Sequence, residues 1–147
     1  MARYLLDTNV LLRILQPDSD QREAAIRAVS ALVARGDIPF VTPQVIIEFW
    51  AVATRALEAN GYGWSAKEAS SQVDAILSRF PILEDSPAVF PNWLNLVRGT
   101  DAVSKQVHDA RLVALMQAHG VSHILTFNVG VFARYQGIEV VHPERIP

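Results

Sequence analysis

The chain has no cysteine, only two lysines, no excess of positive charge and no long apolar run, and each shortage closes off a class of function. Without cysteine there is no disulfide, thiolate metal site or thiol nucleophile, so a metal would have to rest on oxygen or nitrogen ligands. The opening MARYLLDTNV is broken by Asp7 and Asn9 before it forms a signal-peptide core, and no stretch approaches the roughly eighteen apolar residues of a membrane span. A cytoplasmic protein with no membrane attachment is the simplest expectation. Thirteen basic residues against fifteen acidic ones give a net charge of −2, so no overall positive field gathers nucleic acid. A phosphate-rich ligand would need local help from arginine, whose planar fork suits phosphate.

What the chain does have is 147 residues at 50% hydrophobic content, enough to bury a full core as one domain over 1–147. Arg3 to Leu6 reads as a short buried strand with Asp7 at its carboxyl end. A short helix follows from Val10 to Gln16, stopped by Pro17. A capping-box-like pair, Asp20 and Glu23, precedes a longer helix from Ala24 to Arg35 that Gly36 ends. Ile38 to Thr42 has strand composition, and Thr42-Pro43 supplies a cap and a first-turn proline for a helix expected to run to about Asn60. Ser65 and Glu68 form an S-x-x-E box for a helix that Pro81 ends, with Ile82 and Leu83 as a stub of strand. Ser86-Pro87 opens a further helix, Ser104 to His119 is amphipathic up to Gly120, and Ser122 to Phe127 and Glu139 to Val141 read as strands. Strands alternating with helices throughout predict an α/β protein with a mainly parallel central sheet covered on both faces.

In such sheets a site forms beyond the carboxyl ends of the strands. Four residues map there: Asp7, Glu48 within the apolar run VIIEFWAV, Asp109 near a helix start, and Asn128 after a strand. Each also has a plainer reading. Asp7 is a good helix cap, Glu48 fits a solvent-facing stripe, Asp109 gains from a helix dipole, and Asn128 suits a turn. As a group they say more. Two carboxylates about 5 Å apart repel by roughly 3 kcal/mol at an effective dielectric of 20, so three in one pocket hold protons unless a cation sits among them. All-oxygen ligands favour Mg²⁺ or Mn²⁺ over Zn²⁺, and such an ion suits phosphate chemistry.

The blocks LLDTNVLLRIL, TPQVIIEFWAVATR and VHDARLVALMQAHGVSHILTFN, in this order from Tyr4 to Pro143, resemble the PIN-domain family, and within it the VapC-type toxins of toxin–antitoxin pairs. The resemblance implies a three-layer α/β/α fold and a Mg²⁺- or Mn²⁺-dependent endoribonuclease, homodimeric and silenced by a cognate antitoxin. It assigns the acidic metal site to Asp7, Glu48 and Asp109, its support to Thr8 and Asn9, and the polar end of the fourth strand to Thr126 and Asn128. It also implies in-line attack of water on phosphorus, leaving 5′-phosphate and 3′-hydroxyl ends.

The chain departs from that pattern at Val131, where many relatives carry a fourth acid. One negative charge fewer predicts weaker binding of a second ion, and leaves open a catalytically weak PIN module that pairs with an antitoxin or RNA. Arg13, Arg111 and Arg134 are candidate phosphate clamps, and His108 a candidate substrate contact, each also readable as ordinary surface. Trp50 and Trp93 are expected in the core or at a dimer contact, and Trp64 partly exposed. A phosphoaccepting receiver domain ranks low because neither Lys67 nor Lys105 follows a late strand. A haloacid-dehalogenase-type phosphatase would need a second Asp where Asn9 stands.

Overall fold

The computed structural model describes residues 1–147. Its centre is a four-stranded sheet of β1 (Arg3–Leu6), β2 (Ile38–Phe40), β3 (His123–Leu125) and β4 (Glu139–Val141), in the order β2-β1-β3-β4. All three pairings are parallel, and Tyr4, Leu5 and Leu6 stand opposite His123, Ile124 and Leu125. Every connection must therefore cross over the sheet, and helices supply the crossings. The helices are α1 (Thr8–Ile14), α2 (Arg22–Ala34), α3 (Pro43–Thr54), α4 (Ala66–Arg79), α5 (Val89–Thr100), α6 (Gln106–His119) and α7 (Val129–Phe132). They form the outer layers of an α/β/α stack: α1 packs on α2 and α3, α3 on α4, and α5 on α6.

The strands carry apolar side chains on both faces because both faces are covered. Leu5, Leu6, Ile124 and Leu125 are fully buried, and Val10, Leu32, Phe49, Leu115 and Met116 seal them from the helices. In α6 the buried set Ala110 and Leu112 to Met116 runs around much of the cylinder, so this helix is enclosed rather than amphipathic.

Local sequence explains most boundaries. Thr42 Oγ1 accepts from Val45 N at 3.1 Å with Pro43 in the first turn, and Ser65 and Glu68 form the reciprocal capping box expected of them. Gly120 closes α6 in the left-handed region at φ 65°, a conformation a side chain would strain. The expected strand stub survives as an isolated parallel bridge between Val41 and Ile82.

Two further expectations fail, and one helix was not foreseen. Asp20 and Glu23 make no capping box: α2 starts one residue after Gln21, which offers no side-chain cap. The helix from Pro43 ends at Thr54, because Arg55 is extended, and the chain to Asn60 forms a separate 3-10 turn at Leu57–Ala59. Gly61 then folds back on Arg55 so tightly that a Cβ there would overlap the Arg55 carbonyl. Lastly α7, four residues long, follows β3 without having been foreseen.

Candidate active site

Because every strand runs the same way, the carboxyl ends of β1 and β3 lie side by side, and the polar residues that follow them meet there. Asp7 ends β1 and caps α1, accepting from Thr8 N on Oδ1 at 2.8 Å. The cap reading of Asp7 therefore holds, and the same carboxylate lies at the strand ends. Its other oxygen accepts from Thr126 Oγ1 at 2.8 Å and Asn9 Nδ2 at 3.3 Å, which ties the end of β1 to the end of β3. Asn9 completes the tie, since its Nδ2 also reaches Thr126 Oγ1 at 3.1 Å and its Oδ1 accepts from Phe127 N at 3.1 Å. Asn128 donates its backbone N–H to Thr126 Oγ1 at 3.0 Å, while its exposed side chain caps nothing.

Glu48 approaches from the second turn of α3. Thr8 Oγ1 donates to its Oε2 at 2.8 Å and Gln44 Nε2 to its Oε1 at 2.9 Å. Asp109 comes from the first turn of α6. No three His, Asp or Glu side chains close into a ready metal cage. The acids nevertheless share one electrostatic neighbourhood. Burial pushes the Asp7 carboxyl up to about 6; the Thr126 and Thr8 hydrogen bonds pull against this, and the charges of Glu48 and Asp109 add to it. The Asp109 carboxyl is also raised, first by burial and then by Glu48, with Lys105, His108 and Arg134 opposing.

Asp7 is 8% exposed, and no cationic side chain lies close enough to ease its charge. A buried carboxylate with two acidic neighbours and no counter-charge is strongly disfavoured as an anion. Hard oxygen donors with an unmet need for positive charge fit a divalent cation such as Mg²⁺ or Mn²⁺.

The basic candidates separate. Arg134 and His108 lie near enough to Asp109 to act on its charge. Arg111 donates to Gln44 Oε1 at 3.0 Å and to Asp85 at 3.0 Å, on the wall of a depression of about 430 Å³ that also includes Glu48 and His108. Arg13 is engaged elsewhere, in the last turn of α1, with Gln21, Gln16 and Tyr62. Val131 is 36% exposed at the surface of α7. Trp50, Trp64 and Trp93 are all half-buried, and Trp64 packs edge-on to Phe49 and Tyr62. A second cleft of about 240 Å³, between α1, α2 and α4, is lined by apolar residues with Arg22 and Arg79 and contains no acid.

Sequence reasoning missed Gln44 and Asp85. Gln44 carried one readable signal, its place four residues before Glu48 on a helix, where the two side chains must meet.

Fold and site together define a three-layer α/β/α domain with carboxylates gathered where its central strands end. The chain belongs to the PIN domain family, whose model matches residues 4–138. It is 28% identical over 136 residues to ribonuclease VapC24 of Mycobacterium tuberculosis, an alignment covering 88% of this chain and 89% of that protein. Among solved structures it resembles VapBC2 from Rickettsia felis bound to a promoter DNA fragment, with a TM-score of 0.72 at 15% identity, covering 95% of this chain and 98% of that one. A toxin–antitoxin complex from Klebsiella pneumoniae gives a TM-score of 0.66 at 22% identity over 95% of this chain and 97% of that one. No helix is long and apolar enough to cross a membrane.

Proposed function

We propose that the chain is a Mg²⁺- or Mn²⁺-dependent endoribonuclease and the toxin of a toxin–antitoxin pair, working as a homodimer held inactive by a cognate antitoxin. The observation that carries the reading is Asp7: a buried carboxylate, uncompensated by any cation of the chain, beside Glu48 and Asp109 at the strand ends of a PIN domain. The likeness to ribonuclease VapC24 supports RNA as the substrate, and the likeness to toxin–antitoxin complexes supports the partner.

In this reading Asp7, Asp109 and Glu48 hold the cation. When bound, the cation supplies an acidified water and neutralises charge growing on the phosphodiester. Thr126, Asn9 and the Thr8 amide fix the Asp7 carboxyl, so its orientation is set before any ligand arrives. Asn128 offers an amide oxygen at the rim. Arg134 and Arg111 draw in the RNA phosphates, with His108 beside them, as modest local attractions in a chain of net charge −2.

A second reading has one observation in its favour. Val131 stands at the surface of α7 where the family pattern places an acid, which would make the chain a PIN module that binds antitoxin or RNA and cuts weakly. Incubating purified protein with RNA and Mg²⁺ or Mn²⁺ separates the two. Cleavage that disappears in Asp7→Asn supports the nuclease, and RNA binding without cleavage supports the module.

A further inference from the structure

Gln44 sits in the first turn of α3, is 8% exposed, and has both ends of its amide engaged. Its Nε2 donates to Glu48 Oε1 at 2.9 Å and to the His108 carbonyl at 2.8 Å, while its Oε1 accepts from Arg111 Nη1 at 3.0 Å. Glu48 is therefore held on both oxygens by neutral donors, Gln44 on one and Thr8 on the other. Arg111 continues outward to Asp85 at 3.0 Å, where both side chains are partly open to solvent. The bonds form one chain, Asp85–Arg111–Gln44–Glu48–Thr8, from the surface depression to the residue whose backbone N–H donates to Asp7.

The chemistry of this position asks for an amide. A carboxylate would repel Glu48 and could not donate to it. A lysine or arginine would pair with Glu48 and cancel the charge a cation needs. An apolar side chain would take from Glu48 Oε1 its donor and from Arg111 Nη1 its acceptor. An amide donates to Glu48 and to the His108 carbonyl without neutralising Glu48 and at the same time accepts from Arg111, a two-donor, one-acceptor set that a hydroxyl or neutral imidazole lacks. Consistent with that division, Arg111 pairs with Asp85 and not with Glu48.

We propose that Gln44 is a positioning residue for the cation site: it orients Glu48 and keeps the Arg111 charge off it, and so sets the affinity for a divalent cation. The inference rests on the cation-dependent reading above. The test is calorimetric titration of Mn²⁺ into the full chain, comparing wild type with Gln44→Met and with the shortened amide Gln44→Asn, each checked for folding by urea unfolding in EDTA. Loss of a residue supporting a metal ligand weakens metal binding by about tenfold or more, and that is the change expected of both variants. A second readout follows RNA cleavage against Mn²⁺ concentration. The half-saturating concentration rises by a similar factor, whereas the rate at saturating Mn²⁺ returns to within about twofold of wild type, as expected for an effect on metal affinity. A folded variant with wild-type Mn²⁺ affinity overturns the role of Gln44 alone. Absence of Mn²⁺ binding by the wild type overturns the cation site, and this proposal with it.

Discussion

Asp7→Asn makes a demanding test because the structure predicts that it removes activity and raises stability in metal-free buffer. Keeping the wild-type carboxylate ionised against a folded-state pKa of about 6, where the free group has 3.8, costs about 3 kcal/mol at neutral pH. An asparagine carries no charge to desolvate. Its amide nitrogen, however, would face Thr126 and the Asn9 amide donor, the groups that now donate to Asp7 Oδ2, and that mismatch costs about 1–2 kcal/mol. The variant should therefore be about 1–2 kcal/mol more stable than wild type near neutral pH in EDTA. Since the folded pKa lies above the unfolded one, the folded state holds the extra proton between 3.8 and about 6. The stability this proton contributes is complete below 3.8 and is lost as pH rises through about 6. Below that window Asp7→Asn has no charge to relieve and should be less stable than wild type. Urea unfolding in EDTA at several pH values, read as the difference between the two proteins, cancels contributions from other groups such as Asp37, whose lowered pKa acts in the opposite direction. A variant less stable than wild type at neutral pH, or a difference that does not change with pH, would refute the account of Asp7 as an uncompensated buried charge.

Adding Mn²⁺ should stabilise wild type and leave Asp7→Asn nearly unmoved in the same unfolding assay, which ties the charge to the cation. Val131→Asp, at an exposed position, should alter stability by less than about 0.5 kcal/mol and lower the Mn²⁺ concentration needed for RNA cleavage; unchanged metal dependence would remove the explanation given for that residue. Thr8→Val deletes the donor to Glu48 Oε2 and should slow cleavage while costing about 1 kcal/mol in unfolding, because water reaches the half-buried carboxylate. Phe49→Ala, at a fully buried ring, should cost about 3–5 kcal/mol in urea unfolding, a value near zero being evidence against its place in the core.

Much of the fold could be read from local chemistry. β1 and β4 fall where apolar runs meet polar residues, and the caps at Thr42 and Ser65 mark helix starts because their side chains have few alternatives to the orphan amides. That the acidic candidates share one neighbourhood was legible for a topological reason: parallel strands bring their carboxyl ends to one edge, so Asp7 and Asp109 could be grouped without knowing a distance. The failures share a cause as well. Asp20 and Glu23 have the spacing of a cap, but Gln21 takes the position, and spacing alone does not say where a helix begins. The early end of α3 depends on Gly61 folding against Arg55, a contact made only once the chain has turned. The partners of Arg13, Gln21 and Tyr62, come from other segments and could not be read from its place after Asp7. Gln44 stayed hidden because a glutamine in a first helical turn reads as surface until α6 is placed over it.

The pairing of β1 with β3 also bears on when the Asp7 carboxyl becomes fixed. Asp7 is fixed by Thr126, 119 residues away, and Tyr4 to Leu6 find their central neighbours only at His123 to Leu125. A nascent polypeptide halted short of Thr126 contains Asp7, Glu48 and Asp109 but cannot yet lock the first of them in place. The Asp7 carboxyl is fixed only after β3 has docked beside β1, and the long loop to be closed makes that docking intrinsically slow. The strand order thus makes the fixing of Asp7 one of the last events of folding, after two strands far apart in sequence have paired.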